Sequence, residues 1–161
     1  MNVYLLCGLP GSGKTTWAKM FIGEHPQTFR VCKDDIRQML YGEYKFVKED
    51  EGLVQSIAQN AISDLLSNKS DVIIDETCIK KSVRFNYLNM LQSDYDDCCM
   101  TLVEFPLLSK DTLLSRRSTD LRGYSKEYWG DVLEGMIKSF EPSDCEEWKQ
   151  YKKVIKVNRN D

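Results

Sequence analysis

Apolar residues in this chain follow two rhythms. Val3-Tyr4-Leu5-Leu6, Val72-Ile73-Ile74 and Cys98–Phe105 are short and nearly unbroken, as strands of a parallel sheet buried on both faces tend to be. Between them, apolar positions recur at helical spacing along one face. Trp17, Ala18, Phe21 and Ile22 predict a helix from about Lys14 to Glu24. Leu53, Ile57, Ala61, Leu65 and Leu66 mark a long one, and Val83, Tyr87, Met90 and Leu91 the next. Thr28–Cys32 reads as a second strand, Asp34-Asp35 open a short helix over Ile36–Tyr41, and Gly42–Asp50 is a charged, tyrosine-rich connector. Beyond Pro106 come two helical segments, Ser109–Leu121 and Ser125–Phe140, split by Gly123, and then Val154–Val157, apolar at alternate positions as a last strand would be. Strands alternating with helices predict a three-layer α/β fold on a mainly parallel, five-stranded sheet with right-handed crossovers. No linker, repeat or low-complexity tract interrupts it, so residues 1–161 read as one domain.

The first strand runs into Gly8-Leu9-Pro10-Gly11-Ser12-Gly13-Lys14-Thr15, which satisfies G-x-x-x-x-G-K-[ST] at every fixed position and is followed by Thr16. This is a phosphate-binding loop, and the fold is therefore expected to be of the P-loop NTPase type. Glycine lets the backbone approach an anion with no Cβ in the way, and successive N–H groups converge on phosphate oxygens. Lys14 adds a full positive charge for the β and γ phosphates of ATP, and Thr15 a hydroxyl for Mg²⁺. Both sit in the first turn of a helix, whose unpaired N–H groups favour bound phosphate.

Composition changes this picture little. The 42% apolar and 29% charged residues are those of an ordinary globular protein, and 161 residues bury a core without disulfides or structural metal. No apolar stretch is long enough to cross a bilayer and no signal peptide is evident, which predicts a cytoplasmic protein with no membrane partner. Six cysteines without C-x-x-C spacing, and a single histidine, His25, argue for reduced, packed thiols and against a zinc site. A net charge of −3 and a pI near 5.3 argue against a broad nucleic-acid-coating face. They leave room for a local basic pocket that admits one strand end.

In parallel α/β sheets, ligands bind outside the carboxyl ends of the strands. Asp34-Asp35 and Asp75-Glu76 lie at such ends beside the loop, so three separated pieces of sequence point into one crevice. Phosphoryl transfer requires a phosphate cradle, a metal, a group to deprotonate the acceptor and positive charge on the migrating phosphoryl. One of Asp34 and Asp35 is a candidate base, the other a helix cap. Asp75, after an apolar strand, is the candidate metal carboxylate together with Thr15, with Glu76 its rival. Arg116, Arg117 and Arg122 fall on a segment of helical character, a candidate lid over about residues 109–124.

With these residues in view the chain resembles the P-loop kinase domain of bacteriophage polynucleotide 5′-hydroxyl kinase, from Cys7 to about Glu141. The specific part of the resemblance is Asp34-Asp35-Ile36-Arg37-Gln38, then Glu43-Tyr44-Lys45-Phe46 and Glu51-Gly52-Leu53-Val54. It implies that Lys14 and Thr15 hold the ATP phosphates and Mg²⁺, with Gly8, Pro10, Gly11, Ser12, Gly13 and Thr16 as the other ATP-binding candidates, that Asp34 is the general base for a 5′-hydroxyl, and that Arg37 binds the phosphate 3′ of the acceptor nucleotide. It also implies that Arg117 or Arg122 is the catalytic lid arginine. Acceptor-side candidates are Asp34, Arg37, Asp75, Glu76, Thr77 and Arg84. Departures are visible too. Asp75-Glu76-Thr77-Cys78 stands where the family has Asp-Thr-Asn, so an ungapped match puts Glu76 on the family's aspartate, and the spacing of Arg117 and Arg122 differs by one residue. No phosphatase motif is present. The acceptor is expected to be a 5′-hydroxyl nucleic acid end or a nucleotide. A small-molecule P-loop kinase and a non-catalytic nucleotide-binding module stay open as alternatives, as does the oligomeric state.

Overall fold

In the computed structural model, five strands form one parallel sheet: β1 (Asn2–Cys7), β2 (Thr28–Val31), β3 (Asp71–Ile74), β4 (Cys99–Glu104) and β5 (Lys153–Lys156). The structure describes residues 1–95 and 97–158, so Asp96 and the last three positions of the expected domain lie outside it. The strand order is β2-β3-β1-β4-β5, and every neighbouring pair is parallel. The chain thus builds one side of β1 before crossing to the other, which leaves the loop after β1 at a topological switch point, where such sheets hold ligands.

Helices cover both faces: α1 (Lys14–Glu24), α2 (Lys33–Tyr41), α3 (Glu51–Ser67), α4 (Lys81–Asp94), α5 (Lys110–Arg117), α6 (Lys126–Lys138) and a short α7 (Cys145–Trp148). Val3, Leu5 and Val72 pack against Ala58, Ile62 and Leu66 of α3 and Leu88 and Leu91 of α4. On the other face Leu6, Ile73 and Val103 pack against Ala18 of α1, with Trp17 and Phe21 beside it. Strands covered on both sides have no polar-facing positions, which is why their sequence is apolar without alternation. A third cluster, Leu9, Ile79, Leu108, Leu113 and Leu133, seats α5 and α6 over the end of the sheet.

Three sequence expectations are corrected in detail. The buried stripe of α3 is Val54, Ala58, Ile62 and Leu66, one position on from most of the predicted one, and Leu53 is exposed. Helix α5 stops at Arg117 rather than continuing to Leu121. There Ser118 Oγ and Thr119 Oγ1 donate to the carbonyls of Ser115 and Arg116, taking up helix-end acceptors. Lastly, α7 and a 3₁₀ turn at Lys48–Asp50 were not foreseen. The start of α7 does carry a local signal, since Asp144 Oδ1 accepts the N–H groups of Glu146 and Glu147 as an N-cap.

Candidate active site

The loop between β1 and α1 is held open by glycine where a side chain cannot go. A Cβ on Gly8 would lie 2.8 Å from both Phe105 Cβ and Ser12 Oγ, and one on Gly11 would lie 3.0 Å from the Leu113 carbonyl oxygen. Gly11 and Gly13 adopt φ of 81° and 104°, a region that favours glycine. Ser12 Oγ is buried with no hydrogen-bond partner among the described residues. A buried hydroxyl is normally paired, so an orphan inside this loop marks a cradle shaped for an acceptor such as a phosphate oxygen. Lys14 Nζ donates to the carbonyls of Gly8 and Leu9, both at 2.9 Å. Burial pushes the Lys14 ammonium below its usual value, and the charges of Asp75 and Asp34 oppose that shift.

The acidic corner after β3 is tied to this loop. Gly8 N–H donates to the Thr77 carbonyl at 2.9 Å, and the Cys7 thiol donates to the Cys78 carbonyl at 3.3 Å. Asp75 is buried, and its Oδ2 accepts from Thr15 Oγ1 at 2.8 Å and from Arg30 Nε at 2.7 Å. Glu76 faces elsewhere, to the Tyr87 hydroxyl and to Lys33 Nζ at 3.0 Å. The two acidic rivals therefore have different neighbours: Asp75 meets the loop threonine and Glu76 does not. Among the described residues, no cluster of three His, Cys, Asp or Glu side chains could hold a metal by itself.

Asp34 and Asp35 both lie in the first turn of α2, and the N-cap is Cys32, so the expected division into one cap and one cleft carboxylate does not occur. Asp35 pairs with Arg30. Asp34 lines the cleft and is bracketed by two arginines, Arg37 Nη1 at 2.6 Å and Arg122 Nη1. Arg37 in turn makes a two-pronged contact with Glu51, 2.7 and 2.6 Å.

The three arginines of the expected lid have different neighbours. Arg122 does not sit on a helix as expected but in the turn after α5, at φ 50°, with its guanidinium 4.4 Å over the Tyr44 ring. Burial works to lower the Arg122 value, but the charge and hydrogen bond of Asp34 outweigh it and raise it. Arg117, stacked 4.0 Å over Trp129, is lowered by burial and by the neighbouring Arg122 charge, and its Nε lacks a partner among the described residues. Arg116 Nη1 reaches the Gly11 carbonyl at 3.4 Å.

Arg84 is a correction. Its side chain is 0% exposed and lines no part of the cleft. It pairs with Glu147 at 2.6 Å, also 0% exposed, and Nη1 donates to the Cys78 carbonyl at 3.0 Å. A guanidinium so enclosed cannot touch an acceptor; it lies behind the acidic corner and fastens α7 to it. Arg30 and Lys33, which bond the two acids of that corner, were not foreseen. Arg30 stands in β2 at a position where an apolar residue is expected, and that misfit was the readable signal.

Together these groups line one cleft of about 1100 Å³. Nine lysines and arginines face five carboxylates there, in a chain whose net charge is −3. Among the described residues no helix is long and apolar enough to cross a membrane.

The AAA_33 family model, described as an AAA domain, matches residues 3–142. A chain of the Pnkp1/Rnl/Hen1 complex is 30% identical over 71% of this chain and 38% of its own length, with a TM-score of 0.60. A fungal RNA kinase is similar in fold, with a TM-score of 0.69 at 17% identity over 98% of this chain and 74% of that one. Kti12 of Chaetomium thermophilum, solved with ADP-AlF3, gives a TM-score of 0.72 at 15% identity over 99% and 90%. The chain spans less than half the length of the Pnkp1/Rnl/Hen1 chains it matches. The chain belongs to the AAA_33 family, and its α/β P-loop NTPase-like fold is shared with solved kinases.

Proposed function

We propose that this protein transfers the γ-phosphoryl of ATP to the 5′-hydroxyl of a DNA or RNA end, or of a nucleoside 3′-phosphate as minimal acceptor. The observation that carries this reading is Asp34: a carboxylate on the cleft wall, bracketed by Arg37 and Arg122, in the same cavity as the phosphate loop. A carboxylate beside two guanidiniums suits an acceptor that brings both a hydroxyl and a phosphate. The excess of cations in the cleft supports it further, because ATP and a phosphorylated acceptor are both anionic.

In this reading residues 8–16 bind the ATP phosphates and Lys14 neutralises charge on the β and γ groups. Asp34 accepts the proton of the attacking hydroxyl as the new O–P bond forms and the bond to the β-phosphate oxygen breaks, releasing ADP. Arg37 moves from Glu51 and Asp34 to the acceptor's 3′-phosphate. Arg117 and Arg122, on the 109–124 lid, stabilise the migrating phosphoryl. Thr15 and Asp75 supply a hydroxyl and a carboxylate side by side, a donor set that fits Mg²⁺ shared with phosphate oxygens and water. When bound, that ion would neutralise phosphate charge.

A small-molecule P-loop kinase is the second reading, favoured by the net charge of −3, which provides no broad basic face for a polymer. ADP release in the presence of nucleoside 3′- or 5′-monophosphates separates the two. Stimulation by 3′-monophosphates alone is expected, since they present the 5′-hydroxyl that Asp34 would deprotonate. Stimulation by 5′-monophosphates alone would contradict the reading.

A further inference from the structure

The mouth of the cleft carries an aromatic group that the transfer chemistry does not use. Tyr44, Phe46, Tyr128 and Trp129 all line the cavity. Three of them pack against other rings. Trp129 is 4% exposed, lies under the Arg117 guanidinium, and donates Nε1–H to the Leu121 carbonyl at 2.8 Å. Tyr128 stacks on Tyr124, with ring centres 4.3 Å apart and planes 17° apart. Tyr44 has Arg122 over its face and the Tyr124 ring against it.

Phe46 differs. It is 48% exposed, and among the described residues its ring meets no other ring. Its backbone is tied down, since its N–H donates to the Tyr124 hydroxyl at 3.4 Å. The connector that carries it is braced by Tyr41, whose hydroxyl donates to Asp50 at 2.6 Å. Holding an exposed apolar ring in place is the kind of preorganisation that favours binding. The Arg37 guanidinium lies 5.5 Å from its ring centre, and the same guanidinium contacts Asp34.

We propose that Phe46 is the stacking platform for the nucleobase of the acceptor. The inference rests on the 5′-hydroxyl reading and adds a requirement to it: the acceptor must carry a base. A ribose holds its 5′-hydroxyl, 3′-phosphate and base around one small ring, so the groups that receive them must stand around one point. Asp34 and Phe46 both lie beside the Arg37 guanidinium, which contacts one and lies over the ring of the other. Phenylalanine has no hydrogen-bonding group, so it reads no base edge. Such a platform accepts every base and favours the larger purine face.

The test compares acceptor KM for 3′-AMP with that for methyl riboside 3-phosphate, the same sugar phosphate without a base, in wild type, Phe46→Leu and Phe46→Trp. Leucine keeps an apolar cover for Arg37 but removes the π face; tryptophan keeps both. Wild type is expected to prefer 3′-AMP, Phe46→Leu to reduce that preference roughly tenfold, and Phe46→Trp to restore it. Calorimetric titration with 3′-AMP should follow the same order without turnover. If wild type phosphorylates both acceptors equally well, or if Phe46→Leu weakens both by the same factor, the stacking role is wrong while the kinase reading stands. If wild type phosphorylates neither, both fall together.

Discussion

At the scale of single residues, the site depends on places where one atom too many would not fit. Gly8 is the sharpest: a Cβ there meets Phe105 Cβ, part of the packed layer beneath the loop, as well as Ser12 Oγ. Gly8→Ala is expected to cost about 1–3 kcal/mol of stability through overpacking and to weaken ATP binding roughly tenfold, read by thermal melting and nucleotide titration. A variant that melts and binds like wild type would refute the close approach. Arg84 and Glu147 give a second residue-scale expectation. Removing one partner of a buried ion pair costs about 3–5 kcal/mol, whereas replacing both by apolar groups is often close to neutral. Chemical denaturation should therefore show Glu147→Gln strongly destabilised and the double change Arg84→Met with Glu147→Leu largely recovered. Thiol chemistry follows burial in the same way. Burial pushes the Cys7 and Cys32 thiols up to about 11, while Cys145 is exposed. At pH 8 a maleimide should label Cys145 in the native protein and reach Cys7, Cys32 and Cys78 only on unfolding, as peptide mapping would show.

At the scale of elements, α5 and α6 are clasped at the surface by Glu134, which accepts from Lys110 of one helix and Lys138 of its own at 2.8 and 2.7 Å. The hydrogen bond from Lys110, then that from Lys138, holds the Glu134 carboxyl down to about 2. Because the folded value lies below the unfolded one of about 4.3, the clasp contributes above that pH and its contribution is lost as the pH falls toward 2. The difference in melting temperature between wild type and Glu134→Gln should accordingly be small at neutral pH, as for exposed pairs, and vanish by about pH 2. A gap that widens on acidification would contradict this. The strands and the phosphate loop were legible in the sequence because their signals are local: unbroken apolar runs and a fixed spacing of glycines, lysine and threonine. The end of α5 was not, because it depends on the Ser118 and Thr119 hydroxyls turning back onto the helix rather than on apolar spacing.

At the scale of the whole molecule, chain topology turns separated carboxylates and cations into one cleft. The phosphate loop, Asp34, Arg37, Asp75 and the arginines at 116, 117 and 122, each singled out in the sequence, are brought by the fold to one edge of the sheet. Their pairings were hidden, since Arg122 finds Asp34 and Arg84 finds Glu147 across long stretches of chain. An arginine on an amphipathic helix looks the same in sequence whether it faces a ligand or a buried glutamate. The charge inversion between cleft and surface is likewise a property of the folded chain alone. The most direct test of the account is transfer of labelled γ-phosphate from ATP to a 5′-hydroxyl oligonucleotide and to nucleoside 3′-monophosphates, with Lys14→Ala and Asp34→Ala alongside. Label on these acceptors, reduced at least about a hundredfold in both variants while Asp34→Ala still binds ATP, is the predicted result; label that persists in Asp34→Ala, or that wild type places on none of these acceptors, would contradict it.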